Sequence, residues 1–201
     1  MTGARHQHNS HGFTLMEMLV ALGLFSLIMA TGMDIYMMAG RAQRKVFTLE
    51  RLQSDARYAM EAMTREVRTG AIDFSYYTGR GSALALPDSE LALVSSDNSR
   101  LRFFKSTNSS QCADTSSSPC LLVSVDNGTP AAITPKGVKI NSLGFYVTPN
   151  VDPFTFGVGG WLSNIQPHVT IVMSLLSVGS RAGESQDIYL QTTATSRAYR
   201  R

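Results

Sequence analysis

The sequence predicts an α+β fold in which a long N-terminal helix packs on a small antiparallel β-sheet head. Three observations carry this prediction. An apolar run of 21 residues lies near the N-terminus, at residues 13–33. A helical repeat of apolar residues follows it as far as residue 69. After Gly70 the chain changes to short segments rich in β-branched and aromatic residues, separated by Gly, Pro, Asn and Ser, which is typical of antiparallel strands.

The composition fits one ordinary domain with an appendage. With 201 residues, of which 43% are hydrophobic, the chain is neither a disordered tail nor a multi-domain machine. Its net charge of +3 is too small to indicate a nucleic-acid partner, because phosphate binding gathers several Lys and Arg on one face. Two cysteines exclude a cysteine-rich scaffold and a four-cysteine metal site. Since residues 13–40 carry only two formal charges, Glu17 and Asp34, the composition indicates a membrane instead.

The apolar run is long enough to cross a membrane. At about 1.5 Å per residue, 21 helical residues span roughly 32 Å, against a bilayer core of about 30 Å. A secretory signal would place its cleavage site after the apolar core. Here a polar lead-in ends at Gly12, directly before the run, and Glu17 lies inside it. A carboxylate at that depth costs about 2.5 kcal/mol or more, so Glu17 either reaches back to the lipid headgroups or has a partner.

The string at this junction resembles the class III signal of type IV prepilins and type II secretion pseudopilins. The family pattern is Gly, Phe, Thr, Leu, any residue, Glu, and every fixed position is present in Gly12-Phe13-Thr14-Leu15-Met16-Glu17. The resemblance implies that a prepilin peptidase on the cytoplasmic side cuts after Gly12 and methylates the new N-terminal residue, Phe13. It also implies that the apolar helix is retained, as a membrane anchor and later as part of a filament core.

The resemblance divides the chain into four parts. These are a cytoplasmic leader (1–12), a transmembrane and filament-core helix (13–40), an amphipathic continuation of that helix (41–69) and a β-rich head (70–201). The implied partners are the peptidase, other pilin or pseudopilin subunits that pack against the helix, and the membrane platform of the assembly machinery. The implied location is the cytoplasmic membrane, crossed once with the N-terminus inside and the head outside, and then an extracytoplasmic filament.

The charges that flank the apolar run oppose this orientation. Arg5 stands alone on the N-terminal side, against Arg41, Arg44 and Lys45 on the other. The positive-inside rule would therefore place the N-terminus outside. Our prediction follows the complete motif. Loss of Arg5 with the leader would leave a mature net charge of 18 − 1 − 15 = +2.

Glu17 receives an assembly role from the resemblance. Cleavage would create a cationic amine at Phe13, which needs an anion in an apolar filament core. Two unit charges 4 Å apart attract by roughly 4 kcal/mol at an effective dielectric constant of 20. Glu17 could pair with the amine of its own chain or with that of a neighbouring subunit, and the second arrangement would set the axial register.

The helical repeat beyond the membrane predicts one helix over residues 13–69. Its solvated face carries Arg57, Glu61 and Arg65 at intervals of four residues, and Thr69-Gly70 is a C-terminal stop signal. Three glycines within the helix, at 23, 32 and 40, permit either close packing or local unwinding on assembly. The predicted apolar face consists of Val46, Leu49, Leu52, Ala56, Met60, Met63 and Val67.

Six strands are predicted in the head. Asn127-Gly128 indicates a hairpin between the third and the fourth of them. Two stretches, 76–87 and 149–167, are predicted surface loops. The predicted strands are residues 91–95, 100–105, 121–126, 138–147, 169–178 and 188–195.

Cys112 and Cys120 flank a short polar loop and are predicted to form a disulfide. Closing a loop of about nine residues would contribute roughly 2.5 kcal/mol on the chain-entropy model. The alternatives are two unpaired thiols, which an oxidising compartment disfavours, and a metal site, for which the segment lacks a histidine.

No catalytic constellation emerges from the sequence. It contains no phosphate-binding loop, no HExxH pair and no GxSxG elbow, and His168 is the only histidine outside the leader. We therefore predict no enzyme, no metal and no cofactor, and we interpret His168 as structural. The aromatic residues of the two loops are either core or partner-binding: Tyr76, Tyr77, Phe154, Phe156 and Trp161.

Three functional hypotheses follow. The first is a structural subunit of a type IV pilus or a type II secretion pseudopilus. The second is a single-pass, membrane-anchored extracytoplasmic binding module that does not polymerise, and the third is a membrane-tethered enzyme. Within the first, a mature chain of 201 − 12 = 189 residues and a C-terminal run at 188–197 resemble minor pilins and minor pseudopilins. Adhesion and twitching, DNA uptake and protein secretion all share this motif.

Overall fold

The structure is a computed structural model that describes residues 12–79, 87–157, 160–161, 165–178 and 185–197. The chain forms two compact units, Met1–Arg44 and Lys45–Arg201. The long helix α1, Leu15–Thr69, begins in the first unit and ends in the second. It ends at the predicted residue and begins two residues later than the helix predicted from the sequence.

In the second unit, α1 buries one face against the head. The buried face begins later than the sequence predicts, since Val46 and Leu49 are 54% and 39% exposed. The prediction that these two residues pack on the head was wrong. The apolar repeat of the sequence begins at Val46, whereas the described head covers the helix only from Leu52 onwards. The buried side chains of α1 are those of Leu52, Ala56, Ala59, Met60, Met63 and Val67.

The end of α1 lies very close to the first sheet. The Gly70 N–H donates to the Glu66 carbonyl at 2.8 Å. A Cβ placed on Gly70 would lie 2.7 Å from the Val94 carbonyl oxygen, which real Cβ atoms do not approach so closely. Glycine is therefore needed here to let the helix end meet the sheet.

The described residues of the head form two larger antiparallel sheets and a short hairpin. The first sheet has the order β1-β2-β3-β4-β5 and the second the order β10-β9-β6, while β7 pairs with β8. A bridge between Asp88 and Phe145 extends the edge of β6. The strands are β1 (Ala71–Ile72), β2 (Glu90–Val94), β3 (Arg100–Lys105), β4 (Leu121–Val125), β5 (Ala131–Ala132), β6 (Val138–Thr148), β7 (Phe156–Gly157), β8 (Gly160–Trp161), β9 (His168–Ser177) and β10 (Asp187–Thr195).

The α+β arrangement predicted from the sequence is confirmed, and it agrees with the fold that the resemblance implies. All six predicted strands are present, with bounds that differ by one residue at most. Inward-facing residues of both sheets and of α1 form a single core cluster, which includes Met63, Leu91 and Met173.

Both predicted loops contain regular structure. Helix α2, Phe74–Gly79, occupies the first part of the 76–87 stretch, and burial of Phe74 and Tyr77 anchors it. The loop prediction was therefore wrong for residues 76–79, and residues 80–86 lie outside the described part of the chain. The hairpin β7–β8 lies within 149–167, of which residues 158–159 and 162–164 are not described.

The predicted turn is present, but it joins different strands. Asp126 and Asn127 have φ of 47° and 59°, and the Gly128 N–H donates to the Val125 carbonyl at 2.7 Å. Positive φ at both central positions defines a type I′ turn. The turn connects β4 to the two-residue strand β5, so the predicted pairing of 121–126 with 138–147 was wrong.

Candidate processing and assembly segment

The Gly12-Phe13 bond lies just outside helix α1. Residues 12–14 have no regular secondary structure, and the Phe13 side chain is 77% exposed. A Cβ on Gly12 would meet no atom within 4 Å. Nothing in the described chain therefore requires glycine at this position or covers the bond that follows it.

Thr14 caps the N-terminus of α1. Its Oγ1 accepts a hydrogen bond from the Glu17 N–H at 3.2 Å, and its carbonyl accepts one from the Met18 N–H at 3.2 Å. An N-cap threonine with glutamate three residues later is the spacing of a capping box. This role of Thr14 is not among the predictions above, although the Thr-x-x-Glu spacing is visible in the sequence alone.

The Glu17 side chain is exposed in the first turn of α1. A negative charge is favourable there, because the helix N-terminus carries a partial positive charge. Within the described residues, the Glu17 carboxylate makes no hydrogen bond or ion pair. It is therefore free to meet a cation that another chain, or a newly formed N-terminus, supplies.

The apolar part of α1 is exposed on all sides. It is the one described helix that is long and apolar enough to cross a membrane, and none of its most apolar stretch is buried. The two hydroxyls inside this stretch bond to their own helix: Ser26 Oγ donates to the Leu22 carbonyl at 2.7 Å, and Thr31 Oγ1 donates to the Ile28 carbonyl at 3.0 Å. These internal bonds remove the need for water, as a hydrocarbon environment requires.

Gly23 and Gly32 lie on this apolar surface, where neither residue packs against another part of the described chain. A Cβ at either position would meet no atom within 4 Å. They leave shallow depressions that a neighbouring helix could enter, which fits close packing. Unwinding on assembly stays a prediction.

The head contains the disulfide expected between Cys112 and Cys120, with Cα atoms 5.8 Å apart. Asp114 caps a short 3-10 helix in the loop by accepting the Ser117 N–H at 2.7 Å. The hydrogen bond that the Ser116 hydroxyl donates at 2.6 Å is the main cause that lowers the pKa of the Asp114 carboxyl, and hydrogen bonds from Ser117 lower it further. Both hydrogen bonds end on Asp114 Oδ1, so this carboxylate shapes the loop that the disulfide closes.

The two tyrosines of α2 serve the head's internal structure. Tyr77 is 3% exposed, and its Oη accepts the Ala92 N–H at 2.9 Å and donates to the Glu90 carbonyl at 3.3 Å. Tyr76 Oη donates to the Glu90 carboxylate and accepts a bond from Arg102 Nη1 at 3.1 Å. Burial, together with the bond to Glu90, raises the pKa of Tyr76. Core and network packing therefore explain both residues.

The remaining candidate residues form no reactive group. His168 is half-buried at the start of β9, in register with Thr148 and Thr195. Phe154 is partly buried, whereas the side chains of Phe156 and Trp161 lie outside the described part of the structure. Among the described residues, no cluster of three His, Cys, Asp or Glu side chains could hold a metal ion.

Comparison with known proteins identifies the N-terminal segment alone. A family model described as the prokaryotic N-terminal methylation motif matches residues 7–33. Comparisons with curated proteins and with solved structures give no significant match. The matched segment contains the Gly12-Phe13 bond, Glu17 and the whole apolar run.

Proposed function

Because residues 7–33 carry the N-terminal methylation motif that is the signature of type IV pilins and pseudopilins, we propose that this chain is a minor pilin-like or minor pseudopilin structural subunit. The motif supports processing by prepilin peptidase and a structural rather than a catalytic role. The finer proposal is that cleavage follows Gly12, that Phe13 is methylated, and that the product assembles into a type IV pilus or a type II secretion pseudopilus.

The observation that carries this proposal is the position of the Gly12-Phe13 bond relative to the helix. The bond lies two residues before Leu15, in exposed non-helical backbone, while the apolar helix after it is intact. Because the helix begins after this bond, a cut here leaves the helix whole. The absence of packing around Gly12 fits a glycine that the peptidase selects.

In the processed chain, Glu17 would neutralise the amine of Phe13. The Glu17 carboxylate could pair with the Phe13 amine of its own chain or of a neighbouring subunit. At a separation of 4 Å and an effective dielectric constant of 20, either ion pair would be worth roughly 4 kcal/mol. The unpaired, exposed Glu17 carboxylate of the isolated chain supports a partner from a second subunit. Such a contact would favour one axial register over others.

The assignment to the minor subunits rests on length and on the C-terminal run. In the structure, most of that run forms the edge strand β10. The proposal covers the type IV pilus and the type II secretion pseudopilus alike. The proposed partners are therefore prepilin peptidase, other pilin or pseudopilin subunits and the membrane assembly platform.

The experiment compares the full chain and two variants, co-expressed with a prepilin peptidase and its assembly system. N-terminal mass spectrometry should find methyl-Phe13 in the wild type and in Glu17→Gln, because cleavage precedes assembly. Glu17→Gln should insert into the membrane but enter filaments far less often than the wild type, as measured by sedimentation of sheared filaments. Asp34→Asn is the matched control and should assemble normally. An intact N-terminus in the wild type would overturn processing, and normal assembly of Glu17→Gln would overturn the role of Glu17 alone.

A further inference from the structure

Among the described residues, no strand pairs with the outer edge of β10. This strand lies at one end of the second sheet, with β9 as its strand neighbour in the described chain. The two strands pair over nine residues without a bulge. From Ile188 to Thr195 the strand contains no charge and no proline. Natural proteins usually blunt such an edge with charges, prolines or bulges, or they cover it, because unpaired N–H and C=O groups are a template for another strand.

A groove of about 560 Å³ runs between this strand and α1. The β10 side is formed by Leu190, Gln191 and Thr192, and the helix side includes Arg57 and Arg65. Both walls belong to the unit Lys45–Arg201.

Two hydrogen bonds hold the end of the groove in place. The Arg197 N–H donates to the Arg68 carbonyl at 3.2 Å, and Ser196 Oγ donates to the Gly70 carbonyl at 2.7 Å. These bonds join the residues after β10 to the end of α1. A fixed groove loses less conformational entropy when it binds a ligand.

The groove carries excess positive charge. Of the described residues that line it, four are arginines, Arg57, Arg65, Arg68 and Arg197, and one is a carboxylate, Glu61, which gives 4 − 1 = +3. Within the described residues, no carboxylate pairs with Arg57, Arg68 or Arg197. Arg65 Nε lies 3.6 Å from a Glu66 oxygen. The positive charge of Arg68, in the last turn of α1, interacts favourably with the negative end of the helix dipole. Arg57 lies three turns earlier, too far from the helix end for this interaction.

We propose that this groove binds an extended acidic segment of another polypeptide, which adds as a strand to the edge of β10. Backbone hydrogen bonds to β10 would supply affinity, and carboxylates on alternate residues would face the arginines of α1. Arginine suits this task because its planar guanidinium binds carboxylates in a bidentate manner. A lipid surface offers the charge but no strand, so the free edge favours a polypeptide. The proposal is independent of cleavage and of polymerisation.

The experiment uses the full-length protein in detergent micelles and a short fluorescent peptide of alternating Thr and Glu. One control peptide carries Lys in place of Glu, and a second keeps every Glu but has proline in place of Thr. The Thr-Glu peptide should bind at least about tenfold more tightly than either control, as measured by anisotropy, and binding should weaken as salt rises. Hydrogen exchange should slow in β10 when this peptide is added.

The matched variants change the same number of charges. The double variant Arg57→Glu, Arg65→Glu should weaken binding by about tenfold or more. Arg51→Glu with Lys136→Glu, both exposed and outside the groove, should leave binding unchanged. If the double variant unfolds at a lower temperature than the wild type, the single variant Arg57→Glu replaces it in the binding measurement.

Four results would overturn the proposal. The first is that the proline peptide binds as tightly as the Thr-Glu peptide, and the second is that the control double variant loses as much affinity as Arg57→Glu, Arg65→Glu. The third is that the Thr-Glu peptide does not bind. The fourth is that anionic phosphatidylglycerol vesicles slow hydrogen exchange in β10 whereas the peptide does not.

Discussion

At the scale of single residues, the Tyr77 hydroxyl connects α2 to β2. It accepts the Ala92 N–H and donates to the Glu90 carbonyl, in a side chain that is 3% exposed. Burial is the main cause that raises the pKa of this phenol, because the phenolate would be poorly solvated in the core. The hydroxyl therefore has a structural role that depends on its proton.

Replacing Tyr77 by Phe should lower the free energy of unfolding of the head by about 1–3 kcal/mol, because the buried Ala92 N–H loses its acceptor. The variant should also change the pH dependence. An unfolded tyrosine loses its proton near pH 10.0, whereas folded Tyr77 keeps it to higher pH. Above pH 10 the folded wild type thus binds more protons than the unfolded chain, and its stability falls as pH rises.

Urea unfolding of the full chain in micelles, from neutral pH to about one unit above the tyrosine pKa, tests both effects. The fall in stability should be shallower in Tyr77→Phe. Tyr58→Phe is the control, since Tyr58 is 64% exposed and should behave like the wild type. Identical pH profiles for the wild type and Tyr77→Phe would show that this phenol does not control alkaline stability.

At the scale of elements, the sequence predicted what local patterns specify. The bounds of α1 and of six strands follow from apolar periodicity and β-branched runs. Periodicity shows which face of a helix is apolar, but not where a partner covers it, and Val46 and Leu49 illustrate the difference. Helix α2 has six residues, too few for a periodic signal, and the two-residue strands β1 and β5 form because their neighbours offer paired edges.

This difference can be measured with two truncations on the same helix. Met63→Ala should destabilise the head by about 2–5 kcal/mol, because Met63 is fully buried in the core and its loss leaves a cavity. Val46→Ala should change stability by about 0.5 kcal/mol or less, because Val46 is 54% exposed. Thermal or urea unfolding of the full chain in micelles gives both values. A comparable loss in Val46→Ala would mean that the apolar face is covered as early as the sequence predicts.

At the scale of the whole molecule, the candidate segment could be predicted and the groove could not. Residues 12–17 are contiguous, so the motif and its helix are visible in the sequence. The groove unites Arg57 and Arg65 of α1 with Leu190 of β10, more than 100 residues later in the chain. That proximity depends on how the second sheet packs on α1, and no local pattern reports it.

Membrane orientation is also a property of the whole chain, and the two sequence features that bear on it, the N-terminal motif and the flanking cations, disagree. Our proposal for residues 7–33 places the head outside the membrane, whereas Arg41, Arg44 and Lys45 would hold that end of the helix in the cytoplasm. The head contains its own reporter, because the Cys112–Cys120 disulfide forms readily in an oxidising compartment and rarely in the cytoplasm.

We expect the full chain, expressed in bacteria and denatured without reductant, to resist a maleimide-polyethylene glycol reagent until it is reduced. Denaturation is needed because Cys120 is only 1% exposed in the folded head. A variant that lacks residues 13–33 stays in the cytoplasm and should react without reduction, which controls for access to the thiols. If the full chain reacts as readily as this deletion variant, the head is cytoplasmic. The flanking cations would then set the orientation despite the motif, and cleavage after Gly12 on the cytoplasmic side would be impossible.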